Sequence, residues 1–208
     1  DVDIANVAFV KPTLMDKAMR DQVDIPPMSL TGHAGFGGGE YSGAGRVRLA
    51  SGELLADGRF NGNSQRYKLD ATLNSFPVQR FLPKMGIGEL TGHVQFEGNG
   101  FDISQPGTAI DARVDMSSVG YNNAIYRDLY ADVRLNGGAA RGTLRSYNKN
   151  CDLDVDFSGS VSGDEYRFMA EGAIKDLNLG ALKLYDGECY GRMNLSADGV
   201  VNLKTMNN

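Results

Sequence analysis

The chain has 208 residues, of which 41% are hydrophobic and 23% are charged. This composition is typical of a folded protein and excludes a disordered chain. The formal net charge is −5, and no Lys/Arg-rich run occurs, so the electrostatic signature of a nucleic-acid partner or of a polybasic membrane patch is missing. No apolar stretch reaches the ~20 residues of a membrane-spanning helix. Because the chain begins at Asp1 without a methionine or a signal peptide, we expect a piece or a processed form of a longer protein.

The first quarter of the sequence predicts one strand, one helix and then a return to strands. Residues 1–10 alternate weakly and predict a strand. Residues 12–23 have a proline near their start and apolar residues at helical spacing, which predicts the one longer helix of the chain. From Ser29 onward the apolar residues recur with period 2, interrupted by glycines at 37–39 and by a turn signal at 61–64.

Two later segments break this alternation. Residues 76–83 are bounded by prolines and are too short for a long helix, so they predict one or two helical turns that cover a sheet end. Phe76, Val78, Phe81 and Leu82 are then expected to pack against that end. Residues 176–184 predict a third covering element. Between and around these segments the alternation is regular, as in residues 110–116, 129–135 and 151–157.

These patterns predict an all-β fold of twelve to fourteen strands at the usual spacing of antiparallel proteins. Nearly every strand is apolar on one face and polar on the other, which is typical of an antiparallel sheet with one buried face. The predicted architecture is an elongated, curled, mainly antiparallel sheet with short helical caps. A closed β-sandwich would show the same alternation and is the alternative.

A short phrase is repeated along the chain. Leu-Thr-Gly-His occupies residues 30–33 and again residues 90–93, and residues 187–192 form a weaker third copy. Each copy follows one of the non-strand segments, which indicates stacked copies of one supersecondary unit. We therefore predict one elongated repeat domain over residues 1–208, with units at about 1–28, 29–88, 89–187 and 188–208.

The apolar face is the candidate functional surface. About three apolar residues per strand give a larger apolar area than a soluble monomer normally exposes, so this face is either a dry core or a groove for an apolar ligand. The residues predicted to line such a groove are Val47, Leu49, Leu69, Leu73, Ile110, Val114, Val133, Leu135, Leu153, Val155, Phe157 and Phe168.

No motif in the sequence predicts catalysis, a metal or a cofactor. Asp152, Asp154 and Asp156 resemble the opening of a calcium loop, but the glycine and the glutamate that such a loop needs are absent. His33 and His93 occupy equivalent repeat positions and are interpreted as strand residues. The two cysteines, at 151 and 189, are expected to be free thiols, with a single disulfide as the less favoured reading.

Four tyrosines form the basis of a rival hypothesis. Aromatic rings can stack on sugars, so a glycan-binding module without catalytic activity is the alternative function, although tyrosines are also common strand residues. The four residues are Tyr121, Tyr126, Tyr130 and Tyr185.

The combination of one-faced strands, glycine-rich turns and Leu-Thr-Gly phrases after proline-bounded caps resembles the AsmA/TamB superfamily. The similarity is best over residues 73–100, and residues 176–179 with Gly187 and Glu188 show the same sequence pattern. The resemblance implies a periplasmic location in an inner-membrane-anchored protein and an apolar groove called a β-taco. It implies phospholipid or another acyl-chain ligand, transport between the two membranes, and a possible outer-membrane assembly barrel protein as partner. It carries over no catalytic residue.

Overall fold

The structure is a computed structural model that describes residues 24, 26–50, 52–102, 105–162, 165–182 and 186–202. The predicted strand at 1–10 and the predicted helix at 12–23 lie outside these residues. Eleven β-strands account for most of the described chain. They are β1 (Ser29–Gly37), β2 (Glu40–Leu49), β3 (Gly52–Asn61), β4 (Arg66–Pro77), β5 (Ile87–Asn99), β6 (Ala109–Tyr121), β7 (Ala124–Asn136), β8 (Ala139–Asn148), β9 (Cys151–Ser162), β10 (Glu165–Asn178) and β11 (Tyr190–Asn202).

Each strand pairs antiparallel with the next strand in sequence, so the sheet order is β1 to β11 without a crossover. Within the described residues, β1 and β11 each have only one neighbour, and the sheet is therefore not closed. The predicted elongated antiparallel sheet is confirmed. The alternative of a closed β-sandwich is wrong, because every described strand extends the same sheet. The count of eleven described strands is lower than the twelve to fourteen predicted.

Three hairpins are closed by two-residue turns in which both residues have positive φ. These turns are Gly38–Gly39 (59° and 81°), Asn122–Asn123 (48° and 61°) and Gly137–Gly138 (56° and 80°). Two residues with positive φ form the type I′ turn, whose twist matches that of the flanking strands. Glycine and asparagine adopt this conformation at little cost. These residues therefore fix the strand register at both ends of the sheet.

The segments predicted as covering elements are shorter than expected, because the strands extend into them. Phe76 and Pro77 end β4, and only Val78–Arg80 forms a 3-10 helix, the one helical element of the described residues. Asp176 to Asn178 likewise belong to β10. In both strands the register shifts just before these residues, after Leu73 and after Ile174. Such a β-bulge interrupts the period-2 pattern, so the sequence loses its strand signal although pairing continues.

The buried apolar residues lie mainly at one end of the sheet, where β4 and β10 end, which we call the cap end. There Phe76 is only 5% exposed and stacks on Phe81 with ring centroids 5.4 Å apart. Val78, Phe81 and Leu82 are half-buried. Leu182, in the turn after β10, is 3% exposed, and its carbonyl accepts a hydrogen bond from Tyr126. The caps thus pack onto the sheet, as predicted.

This packing predicts the effect of Phe81→Ala. Loss of the ring removes its stack on Phe76, and because Phe81 is half-buried we expect a cost of about 2–3 kcal/mol, below the value for a fully buried phenylalanine. Thermal unfolding monitored by circular dichroism measures this change. Met85→Ala, at a residue that is 54% exposed in the same loop, is the control and should have little effect. An unchanged melting temperature for Phe81→Ala would contradict the packing.

Candidate functional site: one apolar face and a charged cavity

One face of the sheet is apolar across all eleven strands. Residues paired across neighbouring strands lie on the same face, so the pairings define rows that cross the sheet. Counted from the cap end, the first row that crosses all eleven strands consists of Leu30, Val47, Leu54, Leu73, Gly92, Met116, Leu129, Ser146, Leu153, Ile174 and Met193. Ser146 is its only polar side chain, and its hydroxyl, fully buried, donates a hydrogen bond to the carbonyl of Arg127.

Three further rows follow on the same face towards the opposite end of the sheet, which we call the far end. The second row runs from Gly32 through Ala71, Val94 and Val155 to Leu195, and the third runs from Ala34 through Phe96 to Ala197. The fourth contains Phe36, Tyr41, Phe60, Tyr67, Gly98, Ile110, Leu135, Ala140, Gly159, Phe168 and Gly199. None of the four rows contains a charged residue.

All twelve residues predicted to line a groove lie on this face. Eleven belong to the four rows, and Leu49 lies one step closer to the cap end on β2. Most of them are half-buried. Leu69 and Phe168 are 40% and 47% exposed. The face is therefore neither a dry core nor fully solvated in the described chain, and whether these residues contact a lipid remains a prediction.

An aromatic cluster at the far end was not included in the predicted lining. The rings of Phe36 and Tyr41 have centroids 4.6 Å apart, and Tyr41 lies 6.2 Å from Phe60. The ring centroid of Phe101 lies 6.0 Å from that of Phe60 and 5.2 Å from that of Tyr67. Phe36 is 70% exposed. The alternation indicated the face of the strand residues, but the cross-strand register that brings their rings together is visible only in the structure.

The opposite face is charged and carries ion pairs between neighbouring strands. Arg113 Nε lies 3.3 Å from Asp132 Oδ2, and Arg134 Nε lies 3.2 Å from Asp111 Oδ1. The hydrogen bond of Arg145 to Asp154 raises the pKa of that guanidinium. These side chains are exposed, so each pair contributes little to stability. Their charges keep this face in contact with water, while the apolar residues of the same strands lie on the other face.

A cavity of about 1390 Å³ lies at the far end. Residues from β2 to β11 line it, so the sheet curls around it along the strand order. Of the predicted lining residues only Ile110, Leu135 and Phe168 reach it. The others lie on the same face nearer the cap end. The lining also includes residues of the row next to the fourth one, whose side chains belong to the charged face, namely Arg59, Lys68, Glu97, Asp111, Arg134 and Arg141.

The residues considered for other chemistry are strand residues. Asp154 pairs with Arg145 at 2.9 Å, and Lys175 Nζ lies 3.9 Å from Asp152. His93 Nδ1 lies 3.1 Å from Thr72 Oγ1, and its Nε2 lies 3.4 Å from Asp70. This Asp-His-Thr contact is exposed in the middle of a paired sheet, whose backbone N–H groups are engaged in the ladder instead of forming an oxyanion site.

Among the described residues, no group of three or more His, Cys, Asp and Glu side chains is placed to hold a metal ion. Over the same residues, no helix is long and apolar enough to cross a membrane.

Of the tyrosines considered for sugar stacking, Tyr130 contacts Tyr147 with ring centroids 5.9 Å apart. Tyr121 is exposed, and Tyr126 is hydrogen-bonded at the cap end. Tyr185 lies outside the described residues.

Both cysteines are free, as expected. Cys151 begins β9 and is buried, and burial raises the pKa of its thiol, with a smaller contribution from the carboxylate of Asp152. Cys189 is half-buried and precedes β11. One strand, β10, lies between their positions in the sheet, which is too far for a disulfide without backbone movement.

The deeper burial of Cys151 predicts that its thiol reacts more slowly than that of Cys189. The thiolate is the reactive form, so at pH 8 Cys189 should be alkylated by iodoacetamide well before Cys151. The raised pKa of Cys151 also stabilises the fold below the ordinary thiol pKa of about 8.5, and this contribution is lost as the pH rises further. Mass spectrometry of time points gives the order of labelling, and urea-unfolded protein is the control. Equal rates in the folded protein would contradict the burial of Cys151.

The chain matches no protein-family model, no curated protein sequence and no solved structure. Its fold and its surfaces are therefore the basis for any statement about function.

Proposed function

We propose that this chain is a periplasmic section of a TamB-like bridge between the inner and outer membranes, which conducts phospholipid along its apolar face or assists outer-membrane protein assembly. The observation that carries the proposal is the set of four uncharged rows that cross all eleven strands without a second layer of described residues above them. The sequence resemblance to the AsmA/TamB superfamily supports it independently.

The dimensions of this face fit acyl chains. Rows on one face are two residues apart, about 6.7 Å, so four rows span about 20 Å. One leaflet of a bilayer has a hydrocarbon thickness of about 15 Å, half of the ~30 Å core. Across the sheet, ten steps of about 4.8 Å give a path of about 48 Å. Acyl chains can thus lie along the strands while the lipid moves from strand to strand.

The exposure of the face favours a ligand over a protein core. Within the described chain, fully buried apolar side chains are few and are mostly at the cap end, as with Phe76 and Leu182. In the fourth row Phe36, Tyr41 and Phe168 are all about half exposed or more. An apolar surface of this extent marks an interaction site in a soluble protein. Its lack of charge favours acyl chains over a polar ligand.

Photo-crosslinking tests the proposal. A benzophenone amino acid at Leu135 or at Val155 should capture phospholipid when the protein is expressed in a Gram-negative host, because both side chains belong to the apolar rows. The control is Asp156, the neighbour of Val155 on the charged face of β9. Mass spectrometry of the adducts identifies what is captured.

Lipid adducts at 135 and 155 but not at 156 would support the groove. Equal adducts at all three positions would show non-specific contact, and no lipid adduct at any position would remove the basis for lipid conduction. The rival function, glycan binding, would instead use the aromatic cluster of Phe36, Tyr41, Phe60, Tyr67 and Phe101, of which Phe36, Tyr41 and Phe101 are exposed. It would give retention on a glycan array that Tyr41→Ala abolishes.

A charge on the apolar face gives a second prediction. Leu153 is half-buried between Ser146 and Ile174, so Leu153→Asp should cost about 1–3 kcal/mol and leave the protein folded. A carboxylate in the middle of the row should nevertheless block acyl chains, so transfer of fluorescent phospholipid between vesicles should fall at least tenfold. Ser158→Asp, on the charged face of the same strand, is the control. Full transfer by folded Leu153→Asp would contradict the groove.

A further inference from the structure

The aromatic cluster at the far end exposes apolar rings to water. Its members are Phe36, Tyr41, Phe60, Tyr67 and Phe101, and their rings form one chain of contacts. Three of them remain largely exposed, Phe36 at 70%, Phe101 at 65% and Tyr41 at 52%. Aromatic side chains carry large apolar areas that a folded protein normally buries. An exposed group of them that contact one another marks an interaction site.

All five rings lie on the apolar side of the sheet. Phe36, Tyr41, Phe60 and Tyr67 occupy the fourth row on four successive strands, β1 to β4. Phe101 follows β5, and its ring contacts those of Phe60 and Tyr67 from the same side. The aromatic cluster is therefore continuous with the uncharged face. It occupies the corner of the described sheet at which the far end meets β1.

The fold itself keeps Phe101 exposed. On one side of it, the carbonyl of Gly100 accepts a hydrogen bond from the hydroxyl of Tyr67 at 3.0 Å. On the other side, the carbonyl of Asp102 accepts one at 2.6 Å from the hydroxyl of Thr108, which is itself 2% exposed. A ring that an ordered backbone presents to solvent loses little conformational freedom on binding, so it is suited to contact a partner.

The two turns beside the aromatic cluster carry no charge. The turn between β1 and β2 is Gly38–Gly39, and residues 62–65, between β3 and β4, are Gly-Asn-Ser-Gln. Glu40 and Arg66, which begin the following strands, alternate onto the charged face. Removing a charge from water costs far more than removing a neutral polar group. These turns can therefore approach an apolar phase without removing a charge of their own from water.

The exposed area of the aromatic cluster favours a membrane over a protein partner. An aromatic side chain presents about 150–250 Å², so the exposed fractions of Phe36, Tyr41 and Phe101 give about 300–450 Å² in total. A stable protein–protein interface needs about 800 Å² from each partner. Binding to a membrane interface instead scales with the apolar area inserted. Aromatic rings are also the side chains that concentrate at the headgroup level of a bilayer.

We propose that the aromatic cluster inserts into the headgroup region of a phospholipid bilayer and brings the far end of the apolar face to a membrane surface. This inference deepens the proposed lipid-conducting function and rests on it for the choice of a membrane as partner. A lipid that leaves the bilayer at this corner meets the fourth row with its acyl chains, without crossing the charged face. Because the turns carry no charge, insertion requires no anionic lipid.

Flotation with phosphatidylcholine vesicles tests the proposal. We expect the purified chain to float with the vesicles equally at about 0.1 M and about 0.5 M NaCl, because salt screens only charge-dependent binding. Phe36→Ser/Phe101→Ser should weaken binding at least about tenfold, since two exposed rings no longer leave water on insertion. Both side chains are largely exposed, so the melting temperature of this double variant should change little.

Tyr147→Ser/Tyr190→Ser is the matched control. Tyr190 is 70% exposed, as Phe36 is, and Tyr147 is 58% exposed. Both lie at the cap end, Tyr147 near the end of β8 and Tyr190 at the start of β11. This variant should float as the unmodified chain does.

A fluorescent probe reports insertion directly. The chain has no tryptophan, so Tyr41→Trp places a single indole in the aromatic cluster. Its emission should shift to shorter wavelength with vesicles and be quenched by phosphatidylcholine brominated near the headgroup. An emission that vesicles leave unchanged would overturn the proposal.

Three further outcomes would also overturn it: an unmodified chain that does not float, equal flotation of Phe36→Ser/Phe101→Ser, or equal loss of flotation in the control. A dimer of the unmodified chain that Phe36→Ser/Phe101→Ser converts to a monomer in sedimentation would show that a second copy covers the aromatic cluster, and would overturn it too. Lipid conduction is tested separately by crosslinking at Leu135 and Val155. Flotation through the aromatic cluster without lipid adducts at these positions would overturn the proposed function and support the membrane contact.

Discussion

The whole structure depends on the register of ten successive antiparallel pairings. Side chains alternate between faces with period 2, so a slip of one residue in any pairing would place a charged row among the apolar ones. The observed register instead keeps Leu30 of β1 in the same row as Met193 of β11. This continuity produces one uncharged face over eleven strands, which is the surface that the proposed function uses.

The register is maintained by features at the ends of the strands. The positive-φ turns at residues 38–39, 122–123 and 137–138 fix the pairing of three hairpins. The bulges after Leu73 and Ile174 shift the alternation where the strands run into the caps, so that Phe76 becomes buried under Phe81 while Leu73 stays in its row. The register shifts are thus confined to the cap end, and the rows between the two ends remain regular.

Much of this could be predicted from the sequence because it depends on local pattern. Strict alternation, as in Cys151, Leu153, Val155 and Phe157 of β9, identified the strands and their apolar face. The bulged ends of β4 and β10 were misread, because a bulge removes the signal on which the prediction depends. The cavity was missed for a different reason: its lining comes from ten strands, β2 to β11, and only the curl of the sheet brings them around one space.

The two ends of the sheet differ in a way that bears on how a groove would operate. At the cap end the apolar rows end against buried side chains such as Phe76 and Leu182, where an acyl chain would find no free surface. At the far end Phe36 and Phe168 of the fourth row are 70% and 47% exposed, so apolar surface is free there. Removing an ionic headgroup from water costs free energy unless a charged or hydrogen-bonding partner replaces the water. An apolar face alone could hold acyl chains but could not accept the headgroup that accompanies them. A lipid on this face would therefore keep its headgroup in water at the far end, which the described caps leave open, with its acyl chains directed along the strands towards the cap end.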